Sequence, residues 1–558
     1  MQQSPPRRFT RPLSALAFAL AAMGMSSCMT LFEPDRSARA PVLEGFGAPA
    51  TLQASSAQPQ ARTLFTQGLA QAYAFNPQEA VRAFKAALAA DPLCTLCAWG
   101  VAWQLGPNIN APDRGDLGEA RRYIAWAQRH AARATPFEQA LVEAMAVRYG
   151  APRDALVDGP PGAEVCGPPR AGRAHPLDAA YAERMRGLAD ALPEQPDVVS
   201  LYAEAEMIAT RDDWWNRKTG QPGGRIGELA PRIDRALQTN RDHTGLNHYL
   251  IHALDSSQTA DRAVAAADRL GALAPASPHL LHMPSHIYVK VGRFADAVRV
   301  NQQALAAETA LTAQLKAQST EPVWNWDRHN LHFLWFAALM RGDGELALST
   351  ARRVAELAAK GSNPYADYRR ALPLLTLARL QRWDDVLREP APAAAPQGGP
   401  GLAEALNALA LAHTGQTAAA REKAAALQGR LDTAKSKSAR ATEQDAFIEG
   451  LVGVLSGWLQ AELALHDGKI DEVRKALARA AELEDEAGGE PPLLGAGSRA
   501  ALGDALLHAR QWREAEAAFR ADLRAHPANV YGEQGLAKAL AAQRATAALP
   551  RRAASAHG

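Results

Sequence analysis

Seven of the chain's fifteen histidines lie within 85 residues, at spacings that can bring their side chains together in a helical fold. Three of them occur in HLLHMPSHIYVKVG, residues 279–292, at positions i, i+3 and i+7, which places them on one face of a helix. The flanking segments GLNHYLIHALDSS and WDRHNLHFLWFAALMRGD contribute two histidines each. The full set is His248, His252, His279, His282, His286, His329 and His332.

The first chemistry that this spacing suggests is metal binding. His248 with His252, and His282 with His286, are four residues apart, a spacing that lets two imidazoles chelate one ion from one helix face. Imidazole ligands without nearby thiolate suit Zn²⁺ or Cu²⁺. Three such ligands leave a coordination position at which the metal could activate water for hydrolysis or bind dioxygen for oxidation. No separate nucleophile–base pair is evident in the sequence, so catalytic residues are left unassigned.

Two other interpretations of the histidines stay open. They could be polar side chains whose hydrogen bonds are satisfied by Asn, Ser and backbone groups. They could also line a groove that binds an extended peptide or protein segment, because imidazole and aromatic rings can hydrogen-bond and stack on such a ligand. Acidic and aromatic residues such as Glu206 and Trp326 closing around an ion would favour an enzyme, and histidines that point apart would favour an adaptor.

The composition narrows the class of protein that can carry this cluster. The 558 residues are too many for a single compact core, so the chain should form several domains or an extended array. Alanine is abundant, and the long segments between Pro and Gly residues predict helices. No useful length of sequence alternates apolar and polar residues as a strand would. The net charge of +2 gives no electrostatic case for nucleic-acid binding. The sequence also lacks a Gly-rich phosphate loop and a dinucleotide fingerprint.

An internal repeat shows how the histidines are positioned. In residues 61–92 and again in residues 502–527, small residues, an aromatic and a proline fall at fixed offsets. These residues are Gly68, Ala80, Phe84, Ala87 and Pro92, and then Gly503, Ala515, Phe519 and Pro527. The pattern resembles that of tetratricopeptide repeats (TPRs) over much of residues 61–540. The resemblance implies an all-α fold, a right-handed solenoid of helical hairpins with a concave groove.

The same register continues through the histidine region. Ala263 and Ala297 occupy equivalent positions 34 residues apart, which defines units 244–277, 278–311 and, after an insertion, 328–361. His248, His282 and His332 then fall at position 5 of their units. Position 9 is occupied by His252 and His286, and position 2 by His279 and His329. The resemblance places these positions on the first helix of each hairpin, facing the groove.

Further residues are candidates for the same groove. Tyr202 and Glu206 fall at positions 5 and 9 if Pro196 closes the preceding unit, and Trp326 lies in an insertion that could fold over the groove as a lid. HMPSHIYVKVGRFADAVRVN, which ends at Asn301, resembles a set of bacterial TPR proteins that share a His-Met-Pro-Ser-His run. That resemblance supports the fold and implies no activity.

The histidine segment itself predicts an irregular helix. Ser277 reads as an N-cap and Pro278 as the first helical residue. Pro284 would then remove a backbone hydrogen bond inside the helix, unless the helix begins at Pro284 and His279–His282 form an ordered turn before it.

The N-terminus indicates export. Three arginines precede the apolar run LSALAFALAAMGM, which ends in small residues before Cys28. This arrangement resembles a bacterial lipoprotein signal, residues 1–27, and implies lipidation of Cys28 and anchoring at the outer membrane, facing the periplasm. A simple secretory signal is the alternative. Residues 28–60 are rich in Pro, Ala, Ser and Gln and predict a flexible tether.

The remaining features concern redox state and domain boundaries. Cys94 and Cys97 form a CxxC sequence, which in an exported protein predicts a disulfide and alternatively a pair of soft-metal ligands.

A Pro/Gly linker is expected at residues 389–401, EPAPAAAPQGGPG. It would divide an N-terminal lobe, 61–388, from a C-terminal lobe, 402–545. Residues 546–558 are expected to be a disordered tail. We therefore expect a lipid-anchored TPR scaffold whose histidine groove binds a ligand, with a metal-dependent enzyme as the alternative.

Overall fold

The computed structural model describes residues 32–554 except 49, 112–116, 151–174, 212–213, 217, 324, 361–363, 391–400, 438–442 and 496. The predicted signal sequence, Cys28 and most of the 389–401 linker therefore lie outside the described residues.

The described chain is an all-α array of antiparallel helical hairpins, as the repeat pattern predicted. In the N-terminal half the helices are α1 (Pro59–Tyr73), α2 (Pro77–Ala90), α3 (Thr95–Leu105), α4 (Leu117–His130), α5 (Pro136–Tyr149), α6 (Pro176–Ala191), α7 (Pro196–Thr210), α8 (Ile226–Thr239), α9 (Thr244–Leu254), α10 (Val264–Leu273), α11 (Pro278–His282), α12 (Pro284–Lys290) and α13 (Phe294–Ala317). They continue with α14 (Asp327–Met340), α15 (Gly344–Leu357), α16 (Pro364–Arg379), α17 (Trp383–Arg388), α18 (Leu402–His413), α19 (Thr417–Lys437), α20 (Glu443–His466), α21 (Ile470–Ala487), α22 (Ser498–His508), α23 (Trp512–Ala525) and α24 (Val530–Ala554).

The repeat positions form hairpins because a small residue on one helix receives an aromatic ring from the next. A Cβ added to Gly68 of α1 would lie 2.5 Å from the ring of Phe84 on α2. The equivalent pair at the other end, Gly503 of α22 and Phe519 of α23, gives the same 2.5 Å. Both rings are fully buried, so each hairpin is held by an aromatic side chain that only glycine leaves room for.

The segment before the first helix is ordered chain rather than the flexible tether expected from its composition. Leu43, Phe46 and Leu52 are buried in the main core. The backbone also pairs with distant helices, since Ala48 N donates to Thr244 Oγ1 at 2.9 Å and Ala276 N donates to Gly45 O at 2.9 Å. Residues 32–48 and 50–58 therefore run across several hairpins, and the tether prediction does not hold for them.

Asp197 connects the segment before α1 to the helical array through hydrogen bonds. Its carboxylate accepts hydrogen bonds from Thr51 Oγ1, from Leu52 N at 2.6 Å and from Tyr73 Oη at 2.7 Å. His243 Nδ1 accepts from Leu246 N, so its Nε2–H donates to Asp197 at 3.1 Å. Burial alone would raise the pKa of Asp197, but these partners, His243 foremost, hold it below the usual value.

Most C-terminal hairpins share the core of the N-terminal ones, while helices α22–α24 also form a smaller buried cluster of their own. The Tyr368 hydroxyl of α16 donates to Leu493 O at 2.8 Å, and a Cβ on Gly292 would lie 2.5 Å from Pro527 O. One continuous buried cluster extends from Leu43 to Ala505. The hydrophobic core is therefore shared by the two lobes that were expected on either side of the 389–401 linker. Helix α24 also continues to Ala554, into the tail that was expected to be disordered.

We predict that Asp197→Ala lowers the free energy of unfolding by about 3–5 kcal/mol, because it leaves several buried donors without their common acceptor. Urea unfolding followed by circular dichroism measures this. Asp190→Ala is the matched control, since Asp190 is a partly exposed partner of Arg186 and Arg232 and should cost less than about 1 kcal/mol. Equal effects of the two substitutions would contradict the role given to Asp197.

Candidate metal centre

Three successive hairpins present their first helices to one another, and these helices carry the histidines. The helices are α9, the pair α11–α12, and α14. The Ser277 hydroxyl caps α11 by accepting from Leu280 N at 3.2 Å, as expected. Helix α11 ends at His282, and Pro284 begins α12 after Met283. The expected irregularity is therefore a break between two short helices that both carry histidines.

The first histidine triad joins α9 to α11. His248 Nε2 lies 3.0 Å from His252 Nε2 and 3.2 Å from His279 Nε2. All three side chains are at least 97% buried. Their ligand atoms lie within 4.8 Å of one another, close enough for one metal ion to reach all three.

The second triad joins α11, α12 and α14 in the same way. His282 Nε2 lies 3.0 Å from His286 Nε2, and the ring of His329 lies 4.5 Å from that of His282, centroid to centroid. His329 Nε2 is buried and has no hydrogen-bond partner among the described residues. These three residues also bring their ligand atoms within 4.8 Å of one another.

The protein orients one imidazole of each triad through its other nitrogen. His248 Nδ1–H donates to Tyr73 O at 2.8 Å. His282 Nδ1–H donates to Asn301 Oδ1 at 2.7 Å, while the Asn301 amide donates to Ala297 O and so fixes which way the amide faces. With Nδ1 protonated, Nε2 of His248 and of His282 carries a lone pair directed at its triad. This is the arrangement in which metal-binding histidines are held.

Burial keeps these imidazoles neutral. It lowers the pKa of His248 to about 3, although the hydrogen bond to Tyr73 O acts in the opposite direction. The pKa values of His252, His279, His282 and His329 are likewise held well below 6.5, first by burial and then by neighbouring histidines. Neutral imidazole is the form that binds metal, so these five histidines are ready to coordinate at physiological pH.

Aromatic rings seal the centre from solvent. The ring of Phe75 stacks on His279 at 5.0 Å and on His252 at 5.4 Å. Trp326, in the insertion before α14, packs on His279 at 4.2 Å. Phe75 adopts φ 51°, a left-handed conformation that costs a non-glycine residue about 1 kcal/mol or more. The strained backbone places this ring against the histidines.

Two carboxyl groups lie behind the triads. Asp255 Oδ2 is 3.9 Å from His252 Nδ1 and 3.6 Å from His286 Nδ1, so it lies between one ligand of each triad. Glu490 Oε2 is 3.4 Å from His286 Nδ1. Burial, followed by the charge of Glu490, raises the pKa of Asp255 well above its usual value. Asp255, His286 and Glu490 form a third group of potential ligands.

Three of the residues predicted for this site lie outside it. His332 Nε2–H donates to the Tyr368 hydroxyl at 2.8 Å and is absent from both triads, because the next hairpin supplies that partner. Tyr202 packs under the Arg232 guanidinium, and Glu206 pairs with Arg225 at 3.1 Å. Neither belongs to a triad or to the carboxyl group pair. The six other histidines, Asn301 and Trp326 are at the centre.

The histidines also differ from the expected groove lining in being buried rather than open to a groove. Phe75, Asp255 and Glu490 were not anticipated. Asp255 follows His252 by three residues and is identifiable from helical spacing, whereas Phe75 and Glu490 come from distant loops that no local pattern connects to the cluster.

Cys94 and Cys97 are joined by a disulfide, the first of the two possibilities for this pair. Cys97 N also donates to Cys94 Sγ at the start of α3. As a disulfide, these sulfurs are not available as metal ligands in the structure.

Comparisons with known proteins do not add to this description. No protein-family model matches the chain, and no curated protein matches it. Among solved structures it is similar to the TPR domain of P58(IPK), with 13% identity over 87% of this chain and 99% of that one and a TM-score of 0.21. It is also similar to yeast Tom70, with 10% identity over 88% of this chain and 90% of that one and a TM-score of 0.29. Values this low carry no argument, so the TPR-like fold rests on the helix pairs themselves.

We predict that His332→Gln changes how stability depends on pH. Burial lowers the pKa of His332 to about 3, whereas an unfolded histidine titrates near 6.5. Between these values only the unfolded state binds the proton, so the wild type loses stability as the pH falls below about 6.5 and the variant is spared this loss. The unfolding free energy of the wild type relative to the variant should fall by up to about 2 kcal/mol between pH 7.5 and pH 5. A difference that stays constant with pH would contradict the prediction.

Proposed function

We propose that this chain is a helical-repeat protein whose buried histidine centre binds a transition-metal ion. The observation that carries the proposal is the convergence of Nε2 atoms. In the first triad, His252 Nε2 and His279 Nε2 both approach the single lone pair of His248 Nε2. Hydrogen bonding can satisfy this arrangement only by sharing one acceptor between two donors. A metal ion accepts a lone pair from all three nitrogens at once.

The distances suit such an ion with little rearrangement. Tetrahedral coordination at 2.0–2.1 Å from each nitrogen separates neighbouring ligand atoms by about 3.3 Å. The Nε2 atoms of His248, His252 and His279 are 3.0–3.2 Å apart along the two measured edges. An outward movement of a few tenths of an ångström therefore makes room for a metal, and neutral all-imidazole ligation favours copper or zinc.

Export to the periplasm, with a lipid anchor at Cys28 in the outer membrane, is the setting that we propose for this centre. The disulfide between Cys94 and Cys97 supports it, because disulfides persist in oxidising compartments. A concave face remaining open along the solenoid would be the docking surface for a peptide or protein segment. The buried histidines are a poor fit to that role, since Phe75 and Trp326 cover them.

A metal-dependent enzyme is the second candidate function. Each triad supplies three ligands, and a fourth position left for water or substrate is what separates catalytic from structural zinc sites. Asp255 and Glu490 lie next to the ligands, where carboxyl groups can orient imidazoles or move protons. Hydrolysis or oxidation are the reaction classes that such a centre supports.

We predict that the purified protein contains copper or zinc and that His248→Gln/His282→Gln loses it. This variant removes the repeat-equivalent histidine from both triads, while glutamine keeps nearly the same volume. Elemental analysis after gel filtration measures the bound metal, and His332→Gln is the matched control that should retain it. A wild-type protein that contains no metal and takes up neither Cu²⁺ nor Zn²⁺ at neutral pH would refute the proposal and favour peptide docking.

We also predict that Trp326→Ala speeds metal uptake without changing the amount bound, because it removes the ring that covers His279. Stopped-flow mixing of metal-free protein with Cu²⁺ measures the rate. Trp383→Ala removes a tryptophan that stacks on His413 elsewhere in the fold and should leave the rate unchanged. An uptake rate unaffected by loss of Trp326 would show that metal enters by another route.

A further inference from the structure

We propose that the histidine centre is dinuclear, with one metal ion in each triad. This inference rests on the proposed metal-binding function and extends it. Each triad takes its ligands by the same rule, from positions 5 and 9 of one repeat and position 2 of the next. The first triad follows it with His248, His252 and His279, and the second with His282, His286 and His329. The repeat therefore builds the same site twice.

The two triads also share the geometry of their position 5 and position 9 histidines. The position 5 and position 9 nitrogens are 3.0 Å apart in both. In both, the position 5 histidine donates from Nδ1 to an oxygen outside the triad, Tyr73 O in one and Asn301 Oδ1 in the other. The hydrogen bond that directs the Nε2 lone pair of His248 into the first triad therefore has a counterpart at His282 in the second.

A single ion between the triads would not account for this arrangement. Within each triad the position 5 and position 9 rings are 4.8 and 4.9 Å apart, centroid to centroid, whereas the rings of different triads are further apart. His279 and His282 have ring centroids 6.3 Å apart, and those of His252 and His286 are 6.5 Å apart. One ion would satisfy one triad and leave three buried imidazoles of the other without a ligand.

The triads are nevertheless close enough to act as a pair. First helices of neighbouring hairpins pack with axes about 8–10 Å apart, and the histidines point towards each other across that space. Asp255 lies behind both sites, 3.9 Å from His252 Nδ1 and 3.6 Å from His286 Nδ1. This carboxyl group therefore links a ligand of one site to a ligand of the other.

An unpaired polar atom supports occupation of the second site independently. His329 is 93% buried, and its Nε2 has no hydrogen-bond partner among the described residues. Leaving such a buried group unsatisfied destabilises the folded state. Coordination in the second triad would remove that cost.

The test counts ions in wild type and in two repeat-equivalent variants, His279→Gln and His329→Gln, each of which removes the position 2 ligand from one triad. Metal-free protein is loaded with Cu²⁺, excess metal is removed, and copper per chain is measured together with the electron paramagnetic resonance (EPR) spectrum. We expect two ions in wild type and in His332→Gln, and one in each triad variant. Two neighbouring Cu²⁺ spins couple, so the wild-type EPR signal should be weakened or broadened, and each variant should show the signal of an isolated ion.

The outcomes separate this inference from the proposed function. One ion in wild type would overturn the dinuclear centre while leaving metal binding intact, and no ion would overturn both. Two ions with uncoupled spectra, or two ions that persist in both variants, would contradict a pair held by these triads. Circular dichroism of each variant identifies loss of fold. If either single variant is unfolded, the Zn²⁺ stoichiometry of wild type decides the matter, with two ions expected and one ion contradicting the dinuclear centre.

Discussion

The centre of this structure depends on imidazole nitrogens that face one another at hydrogen-bond distance inside the protein. His248 Nε2 and His282 Nε2 are each made acceptors by hydrogen bonds at the opposite nitrogen. The histidines four residues later must then be donors if no ion is bound, and His279 competes for the same lone pair as His252. Such a cluster is costly to bury unless something uses its lone pairs together. The break between α11 and α12, the rings of Phe75 and Trp326, and the carboxyl groups of Asp255 and Glu490 all lie directly around this cluster.

The surrounding helices offset the free-energy cost of burying these histidines, because many small, repeated contacts stabilise the array. Alanine and glycine let paired helices approach, and rings such as Phe84 and Phe519 fill the space between them. The histidines lie on the first helices of successive hairpins, so the repeat brings six polar rings together at one place in the array. Asp197 adds a separate constraint by holding the N-terminal segment across the hairpins.

Much of the site was predictable because the repeat period converts sequence spacing into spatial proximity. Histidines at positions 5, 9 and 2 meet for that reason, and Asn301 and Trp326 contact the same cluster. His332 shows the limit of the rule, since it shares position 5 with His248 and His282 but meets Tyr368 from the next hairpin. Tyr202 and Glu206 share positions with the ligands and pair instead with arginines. The positions of Phe75, of Glu490 and of residues 32–48 and 50–58 depend on long-range contacts that have no periodic signature.

The central claim is that each triad of Nε2 atoms surrounds one metal ion, and anomalous X-ray diffraction from copper- or zinc-loaded crystals tests it most directly. Data collected on both sides of the metal absorption edge should show two peaks. One should lie among His248, His252 and His279, and the other among His282, His286 and His329. Peaks elsewhere on the protein, or none in a crystal that contains the metal in solution, would contradict the account.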